Sequence, residues 1–307
     1  MTGHVDTAPS GSRRAAGSDG PGPHPILCAD DFGISDGVSR GIEELAAAGR
    51  LSATSAIVTL PGWQSQAARL ARLRPRVAIG LHINLTLGRP LGPMPELAPD
   101  GTLPSIGRLT LQSLRGRIDS DEIAAEVGRQ LASFVRWAGA EPDFVDGHQH
   151  AHALPGVRAG VVKALVDHFP GPARPLVRVP ADRAVAIVQR GTAIGKCLVL
   201  DLLGTGFRDL VRHAGFPAND SFSGVSSFNT RQPYAIEFKR FLRAPGGRHL
   251  IMCHPGYPDA ELAGLDPITE RRRQELDTLM TWPGLPSMIW HPDRSDAAGG
   301  PRWPEAG

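Results

Sequence analysis

The sequence predicts an α/β fold, namely a (β/α) barrel, complete or imperfect, in a single domain over residues 25–291. Short apolar runs typical of strands alternate along this region with amphipathic patterns typical of helices. Such alternation predicts a parallel sheet with helices packed on it. The region is about 265 residues long, close to the ~250 typical of a (β/α) barrel, and holds six to eight strand–helix units. These observations favour a barrel over an open doubly wound sheet.

The predicted strands are short runs rich in aliphatic and β-branched residues, most of them followed by turn-forming or polar residues. The last of them, SMIW, is the candidate that would close the set. We predict strands at 25–29, 53–60, 76–86, 143–146, 175–179, 249–253 and 287–290.

The predicted helices show apolar residues at helical spacing, in several cases between capping residues. Ser35 is a suitable N-cap for the first helix and Gly49 a suitable stop. Asp121 or Ser120 is expected to cap the helix that ends near residue 139. Further helices are expected at 63–73, 155–168, 182–190, 196–212 and 267–280, with a long Pro- and Gly-rich loop at 87–109 and an unassigned segment at 219–229.

Both ends of the chain differ in composition from this central region. Residues 1–24 are rich in Gly, Ser and Pro and predict a disordered leader, and residues 292–307 predict a flexible tail. The leader lacks the apolar core of a signal peptide, and no stretch of about 18 uninterrupted apolar residues predicts a membrane span. We therefore expect a cytoplasmic protein.

Composition also limits the partners of the protein. The formal net charge is +2, hydrophobic residues make up 41% of the chain and charged residues 21%, as in ordinary globular proteins. No basic run with interleaved aromatic residues occurs, which argues against nucleic acid as a partner. The three cysteines show no CxxC spacing, so a reduced environment fits better than a disulfide framework.

Polar clusters follow directly on four of the predicted strands. They begin at Asp30 and Asp31, at His82, at Asp146 and at His254. Because the carboxyl ends of parallel strands meet at one edge of a sheet, these distant segments are expected to form one site. Any one cluster alone also fits a solvated turn or a hydrogen-bonded core histidine.

The segment DGHQHAH carries three histidines at every second position. If the segment is extended, Asp146, His148, His150 and His152 share one face. This spacing is a common way to present imidazoles to a metal ion, and Asp146 is suited to orient one of them. One mononuclear site is unlikely to need all three rings, so at least one is expected to bind substrate, support a ligand or pack.

Four motifs in order, CADDFGIS, GLHINLTLG, VDGHQHAHALPG and MCHPG, resemble those of the YdjC-like carbohydrate deacetylases. The resemblance implies a barrel related to polysaccharide deacetylases, with one divalent metal ion, Mg²⁺ or Zn²⁺. It further implies removal of an N-acetyl group from an amino sugar in a chitooligosaccharide, another N-acetylglucosamine-containing saccharide or a glycolipid. A homodimer is compatible with the family.

The resemblance also assigns roles to residues of this chain. It implies Asp31, His82 and His148 as metal ligands, Asp30 as the general base and His254 as the general acid. Other polar or aromatic residues near the strand ends are candidates for substrate contact or for support of the ligands: Asp146, His150, His152, Asn84 and Trp63.

Two other classes of protein have to be weighed against a deacetylase. One is a metal-dependent phosphoesterase or amidohydrolase-type enzyme, although such barrels usually carry His-x-His on the first strand, where this chain has Asp-Asp. The other is a non-catalytic carbohydrate-binding protein. The presence of Asp30 and His254 beside the implied ligands favours catalysis, because binding alone would not require them.

Overall fold

The computed structural model of the chain describes residues 24–293 and 300–305, and within them seven strands form one parallel sheet. The order of strands across the sheet is β5-β4-β3-β2-β1-β7-β6, and all pairings are parallel. The strands are β1 (Ile26–Phe32), β2 (Ala53–Ala56), β3 (Ala78–Ile83), β4 (Phe144–Gly147), β5 (Leu176–Val177), β6 (Ser221–Ser223) and β7 (His249–Cys253).

The two edges of the sheet approach each other. Val177 of β5 forms an isolated parallel bridge with Ala218, and its backbone N–H donates to the carbonyl of Pro217 at 2.8 Å. Two residues further on, the N–H of Val179 donates to the side-chain oxygen of Asn219 at 2.7 Å. These contacts nearly close the sheet into a cylinder, so the predicted imperfect (β/α) barrel is confirmed.

Eleven α-helices accompany the strands in the described ranges, and most predicted helices are present. Ser35 caps the first helix as expected, but the fourth helix is capped by Asp119 rather than by Ser120 or Asp121. The helices are α1 (Asp36–Ala47), α2 (Trp63–Ala71), α3 (Ile106–Leu114), α4 (Ser120–Ala138), α5 (Val157–His168), α6 (Ala184–Arg190), α7 (Ile194–His213), α8 (Tyr234–Phe241), α9 (Ala260–Leu265), α10 (Glu270–Thr281) and α11 (Leu285–Met288).

Two predicted elements differ from the structure. The strand expected at 287–290 is wrong, because α11 occupies Leu285–Met288 and no strand follows it before residue 293. The unassigned segment at 219–229 contains β6, whose three residues are too few to show an alternating pattern in the sequence. Seven short strands rather than eight therefore build the barrel.

Alternation along the strands divides the apolar core into two layers. A large cluster lies between the sheet and its helices and includes Leu27 and Ala29, whereas a smaller one includes Ile26 and Cys28 and lies inside the barrel. Phe144 closes the interior at the amino ends of the strands. Trp303 packs edge-to-face on Phe144 at 6.0 Å and stacks on Trp290 at 4.9 Å.

The described part of the predicted tail therefore packs on the barrel. In addition to the Trp303 contacts, the carbonyl of Pro304 accepts a hydrogen bond from Arg248 Nε at 2.8 Å. The leader up to residue 23 and the tail residues 294–299 and 306–307 lie outside the described residues. Among the described helices, none is both long enough and apolar enough to cross a membrane.

A glycine after β6 is required by the close approach of β7. Gly224 has φ +103°, and a Cβ atom there would lie 2.0 Å from the carbonyl oxygen of Met252. We expect Gly224→Ala to lower the free energy of unfolding by more than about 2 kcal/mol, because the clash adds to the backbone strain. Chemical denaturation measures this change.

Gly128, in the interior of α4, is a matched control. A Cβ atom there meets nothing within 4 Å, so Gly128→Ala is expected to stabilise the protein by about 0.5–1 kcal/mol. Equal effects of the two substitutions would contradict this account of β6 and β7.

Candidate metal centre and active site

The four polar clusters predicted from the sequence meet at the carboxyl end of the barrel. The pairing of β3 with β4 places His82 beside Asp146, and Asp31 is the penultimate residue of β1. One ligand atom each from Asp31, His82 and His148 lies within 4.8 Å of the other two. The predicted convergence is therefore confirmed, and all three residues are buried.

Asp31 is the centre of this cluster. Its backbone has φ +68°, which turns its side chain away from the regular strand direction. Its Oδ1 atom lies 3.1 Å from His82 Nε2 and 2.9 Å from His148 Nδ1, while Oδ2 accepts from Arg272 Nη2 at 2.6 Å. Burial acts to raise the pKa of Asp31, but His148 and Arg272 outweigh it and hold the pKa well below the usual range.

His82 is oriented by a carboxylate on the next strand. Its Nδ1 atom lies 2.6 Å from Asp146 Oδ1, and Ser55 Oγ donates to Asp146 Oδ2 at 2.9 Å. This arrangement leaves Nε2 facing Asp31, as in metal ligands that are supported by a second carboxylate. Burial acts to lower the pKa of His82, but Asp146, Asp30 and Asp31 raise it to about 10. The electrostatic field at Nε2 therefore favours a cation.

The three residues fit a divalent metal ion. One carboxylate oxygen and two imidazole nitrogens form a donor set that suits zinc and leaves positions for water and substrate. Magnesium prefers oxygen ligands and would require several bound waters here. The rings of His82 and His148 stand nearly at right angles, with centroids 5.6 Å apart, so their nitrogens approach the same region from different directions.

Asp30 is held by an arginine that the sequence did not single out. Arg178 Nη1 and Nη2 donate to the two carboxylate oxygens of Asp30 at 2.6 and 2.8 Å, and Nη1 also lies 2.9 Å from Asp146 Oδ2. Arg178 is fully buried. Burial acts to lower the pKa of Arg178, but Asp146 and Asp30 raise it above its usual value. The carboxylate of Asp30 is therefore fixed in one orientation beside the cluster.

His254 also lies near the carboxylate of Asp30. Its Nε2 atom is 4.0 Å from Asp30 Oδ2, and its backbone N–H donates to Glu275 Oε2 at 2.5 Å. The Nδ1 atom is buried and has no hydrogen-bond partner in the described part of the chain. Burial lowers the pKa of His254, and Asp31 and Asp30 oppose that shift only in part. Asp30 and His254 therefore lie close together and line the same cleft.

The histidine-rich segment is not extended, so the condition under which its residues would share one face is not met. A distorted 3₁₀ helix spans His148–Ala153, and Gln149 and His150 have φ values of +53° and +58°. The three histidines consequently point to different surroundings. His152 is fully buried and its Nε2 donates to the carbonyl oxygen of Arg178 at 2.9 Å, so it supports the segment directly after β5 that carries this arginine.

Trp63 and Asn84, two of the candidates for substrate contact or ligand support, are buried and make contacts within the protein. Trp63 is 4% exposed, stacks on Phe134 at 6.0 Å and donates from Nε1 to Ser133 O, so it packs α2 against α4. Asn84 is fully buried and uses its amide group to hold the turn at Thr86 and Leu87. Both side chains are therefore engaged in packing or in internal hydrogen bonds.

A cleft of about 610 Å³ opens at the cluster. Its polar floor is formed by Asp30, Asp31, His148, His150 and His254. Its walls are mainly apolar and come from α3, α7 and the segments after β6 and before α10: Ile106, Val199, Leu200, Val225, Phe228 and Ile268. Ile106 is the first residue of α3, so the carboxyl end of the segment predicted as a loop at 87–109 is helical and reaches the cleft.

Sequence reasoning missed three buried residues that hold the site together: Ser55, Arg178 and Arg272. Arg178 interrupts the apolar run PLVRV, and a charged residue at a strand position is a signal that could have been used. Arg272 lies in a run of three arginines on α10, where only the structure shows that Arg272 is buried against Asp31 and Asp266.

The sequence of this chain is similar to those of known proteins. The family model for YdjC-like protein matches residues 25–282. A chitooligosaccharide deacetylase of Serratia marcescens is 41% identical over 268 residues, covering 86% of this chain and 93% of its own. A carbohydrate deacetylase of Mus musculus is 32% identical over 256 residues, covering 78% and 80%.

A solved structure agrees on the fold. A crystal structure from Enterococcus faecalis V583, described as a "putative cellobiose-phosphate cleavage protein", superposes with a TM-score of 0.63 at 21% identity. It covers 85% of this chain and 92% of its own chain, which supports the fold but carries no information on the reaction. Because the family model matches most of the length of this chain, the chain belongs to the YdjC-like protein family.

Proposed function

We propose that the protein is a metal-dependent carbohydrate deacetylase that hydrolyses the N-acetyl group of an amino sugar and releases acetate. The observation that carries the proposal is the buried cluster of Asp31, His82 and His148, with Asp30 and His254 beside it on the floor of one cleft. The relatives named as carbohydrate and chitooligosaccharide deacetylases support the same reaction and substrate class. A cytoplasmic location and a homodimer stay predictions from the sequence.

Amide hydrolysis needs a stronger nucleophile than water and a stabilised oxyanion. A divalent ion held by Asp31, His82 and His148 would supply both, by lowering the pKa of a bound water and by stabilising negative charge on the acetyl oxygen. Mg²⁺ and Zn²⁺ are the candidate ions. The carboxylate–imidazole pair of Asp146 and His82 keeps the ligand nitrogen of His82 directed at Asp31.

Asp30 is proposed to take the proton from the attacking water. The two hydrogen bonds from Arg178 fix the carboxylate of Asp30 in one orientation, so the base is already positioned when water and substrate bind. Arg178 and Asp30 form a buried pair, and a carboxylate tied to arginine on one side can still accept a proton with its remaining lone pairs.

His254 is proposed to protonate the departing nitrogen. Because burial lowers the pKa of the ring, its protonated form gives up a proton readily to an amine. General acid–base catalysis by such a pair contributes about 10²–10⁴-fold. The distance of 4.0 Å between His254 Nε2 and Asp30 Oδ2 is compatible with both groups acting on one tetrahedral carbon.

An acetate-release screen tests the reaction. Metal-stripped protein and protein refilled with Zn²⁺ or Mg²⁺ are incubated with N-acetylated chitooligosaccharides and glycolipids. We expect acetate in the refilled samples only, and no phosphate from matched phosphorylated sugars. Release of phosphate without acetate would favour a phosphoesterase, and tight sugar binding without turnover would favour a non-catalytic binding protein.

Substitutions in the site are expected to separate metal binding from proton transfer. Asp31→Ala and His148→Ala should lose bound metal and activity together, because each removes one of three ligands. Asp30→Asn should keep the metal and lose about 10²-fold or more in kcat, since it removes the base alone. Metal analysis and acetate-release kinetics on the same preparations measure both. A near-normal rate for Asp30→Asn would show that the base is misassigned.

Glu275, which anchors His254, predicts a pH dependence of stability. Burial raises the pKa of Glu275 from 4.5 to about 8, against the lowering effects of the His254 N–H and Arg272. The folded state therefore keeps a proton that the unfolded chain releases, and stability falls as the pH rises from about 5 to 8.

Replacing Glu275 by Gln should remove this part of the pH dependence. The quantity to compare is the free energy of unfolding of Glu275→Gln minus that of wild type. We expect this difference to increase from pH 5 to pH 8 by an amount on the order of a few kcal/mol, because only wild type loses stability there, and to level off above pH 8. Urea denaturation at several pH values measures the difference. A constant difference over this range would mean that Glu275 is already ionised near pH 5.

A further inference from the structure

We propose that His150 binds a hydroxyl group of the sugar and so determines substrate specificity; this inference rests on the proposed deacetylase function. His150 lines the floor of the cleft together with Asp30, Asp31, His148 and His254. It is only partly buried, whereas His148 and His152 on either side of it are buried.

His150 lacks the polar contacts that its neighbours have. Its Nδ1 atom is buried without a hydrogen-bond partner. Its Nε2 atom forms no hydrogen bond with a residue in the ranges 24–293 and 300–305, and because the ring is partly exposed at the cleft, Nε2 is the nitrogen that a ligand there can reach. By contrast, His82 and His148 contact Asp31, and His152 contacts the carbonyl of Arg178. A polar side chain that lines a cleft and has no hydrogen-bond partner among the described residues is a reason to look for a partner from outside the chain.

The backbone that presents this ring is strained. Gln149 and His150 both lie in the left-handed region, with φ values of +53° and +58°, which residues other than Gly rarely adopt. A strained backbone that the surroundings maintain is frequent at ligand sites. Here it separates His150 from His148, so that one ring contacts Asp31 while the other packs edge-to-face on Phe222 at 5.5 Å.

The chemistry of the ring selects a hydroxyl partner. Neutral imidazole has one N–H donor and one acceptor nitrogen, which matches a hydroxyl group, itself both donor and acceptor. His150 does not belong to the group of ligand atoms formed by Asp31, His82 and His148, so a second role as a metal ligand is not favoured. A saccharide substrate offers several hydroxyl groups, and the acetamide must lie within reach of Asp30 and His254 on the same floor.

Kinetics on two variants test the proposal, with His150→Phe removing the hydrogen bonds and His150→Asn restoring a donor and an acceptor. We expect His150→Phe to raise KM about 3- to 30-fold for the best saccharide of the acetate screen, with kcat changed less. His150→Asn should recover part of this loss. Metal content and melting temperature should match wild type in both variants.

Deoxy analogues of the same saccharide identify the partner. For the analogue that lacks the contacted hydroxyl, wild type and His150→Phe should have the same KM, as in a double-mutant cycle. The proposal is overturned if His150→Phe has wild-type kinetics, if it loses metal, or if no analogue removes the difference. A wild-type enzyme that releases acetate from no substrate would instead overturn the proposed function, and the inference with it.

Discussion

The burial of three carboxylates at one edge of the sheet is the constraint on which the site depends. Asp30, Asp31 and Asp146 are each at most 1% exposed, and an uncompensated buried charge costs several kcal/mol. Arg178 pairs with Asp30 and Asp146, and Arg272 pairs with Asp31. Two arginines against three carboxylates leave a negative excess, which raises the pKa of His82 and makes the position between Asp31 and the imidazoles favourable for a cation.

The same constraint separates the roles of two adjacent aspartates. Asp30 keeps the strand conformation, so its side chain points to Arg178 inside the barrel. Asp31 has φ +68°, so its side chain turns to His82, His148 and Arg272. Because each carboxylate is held by a different arginine, one can serve a metal ion while the other stays available for proton transfer.

The sequence predicts much of the fold and the position of the site. It does not predict the roles of side chains that depend on a specific partner far away in the sequence. The strand ends at Asp31, His82 and His254 could be recognised because a parallel sheet places all such ends on one edge. The role of Arg178 could not, because its contact with Asp30 joins residues 148 positions apart. Trp63 resembled a site residue only through its position after a strand, and its packing on Phe134 depends on how α4 crosses α2.

The segment DGHQHAH shows why spacing identifies candidates but does not assign them. His-x-His spacing would put all the rings on one face of a strand, but two left-handed residues break that geometry and give each histidine a different partner. His148 meets a carboxylate, His152 meets a backbone carbonyl and His150 meets the open cleft. Since imidazole can be a ligand, a hydrogen-bond donor or an acceptor, the partner that the fold supplies decides the role. The ring of His150, whose nitrogens have no hydrogen-bond partner among the described residues, is therefore available to a substrate.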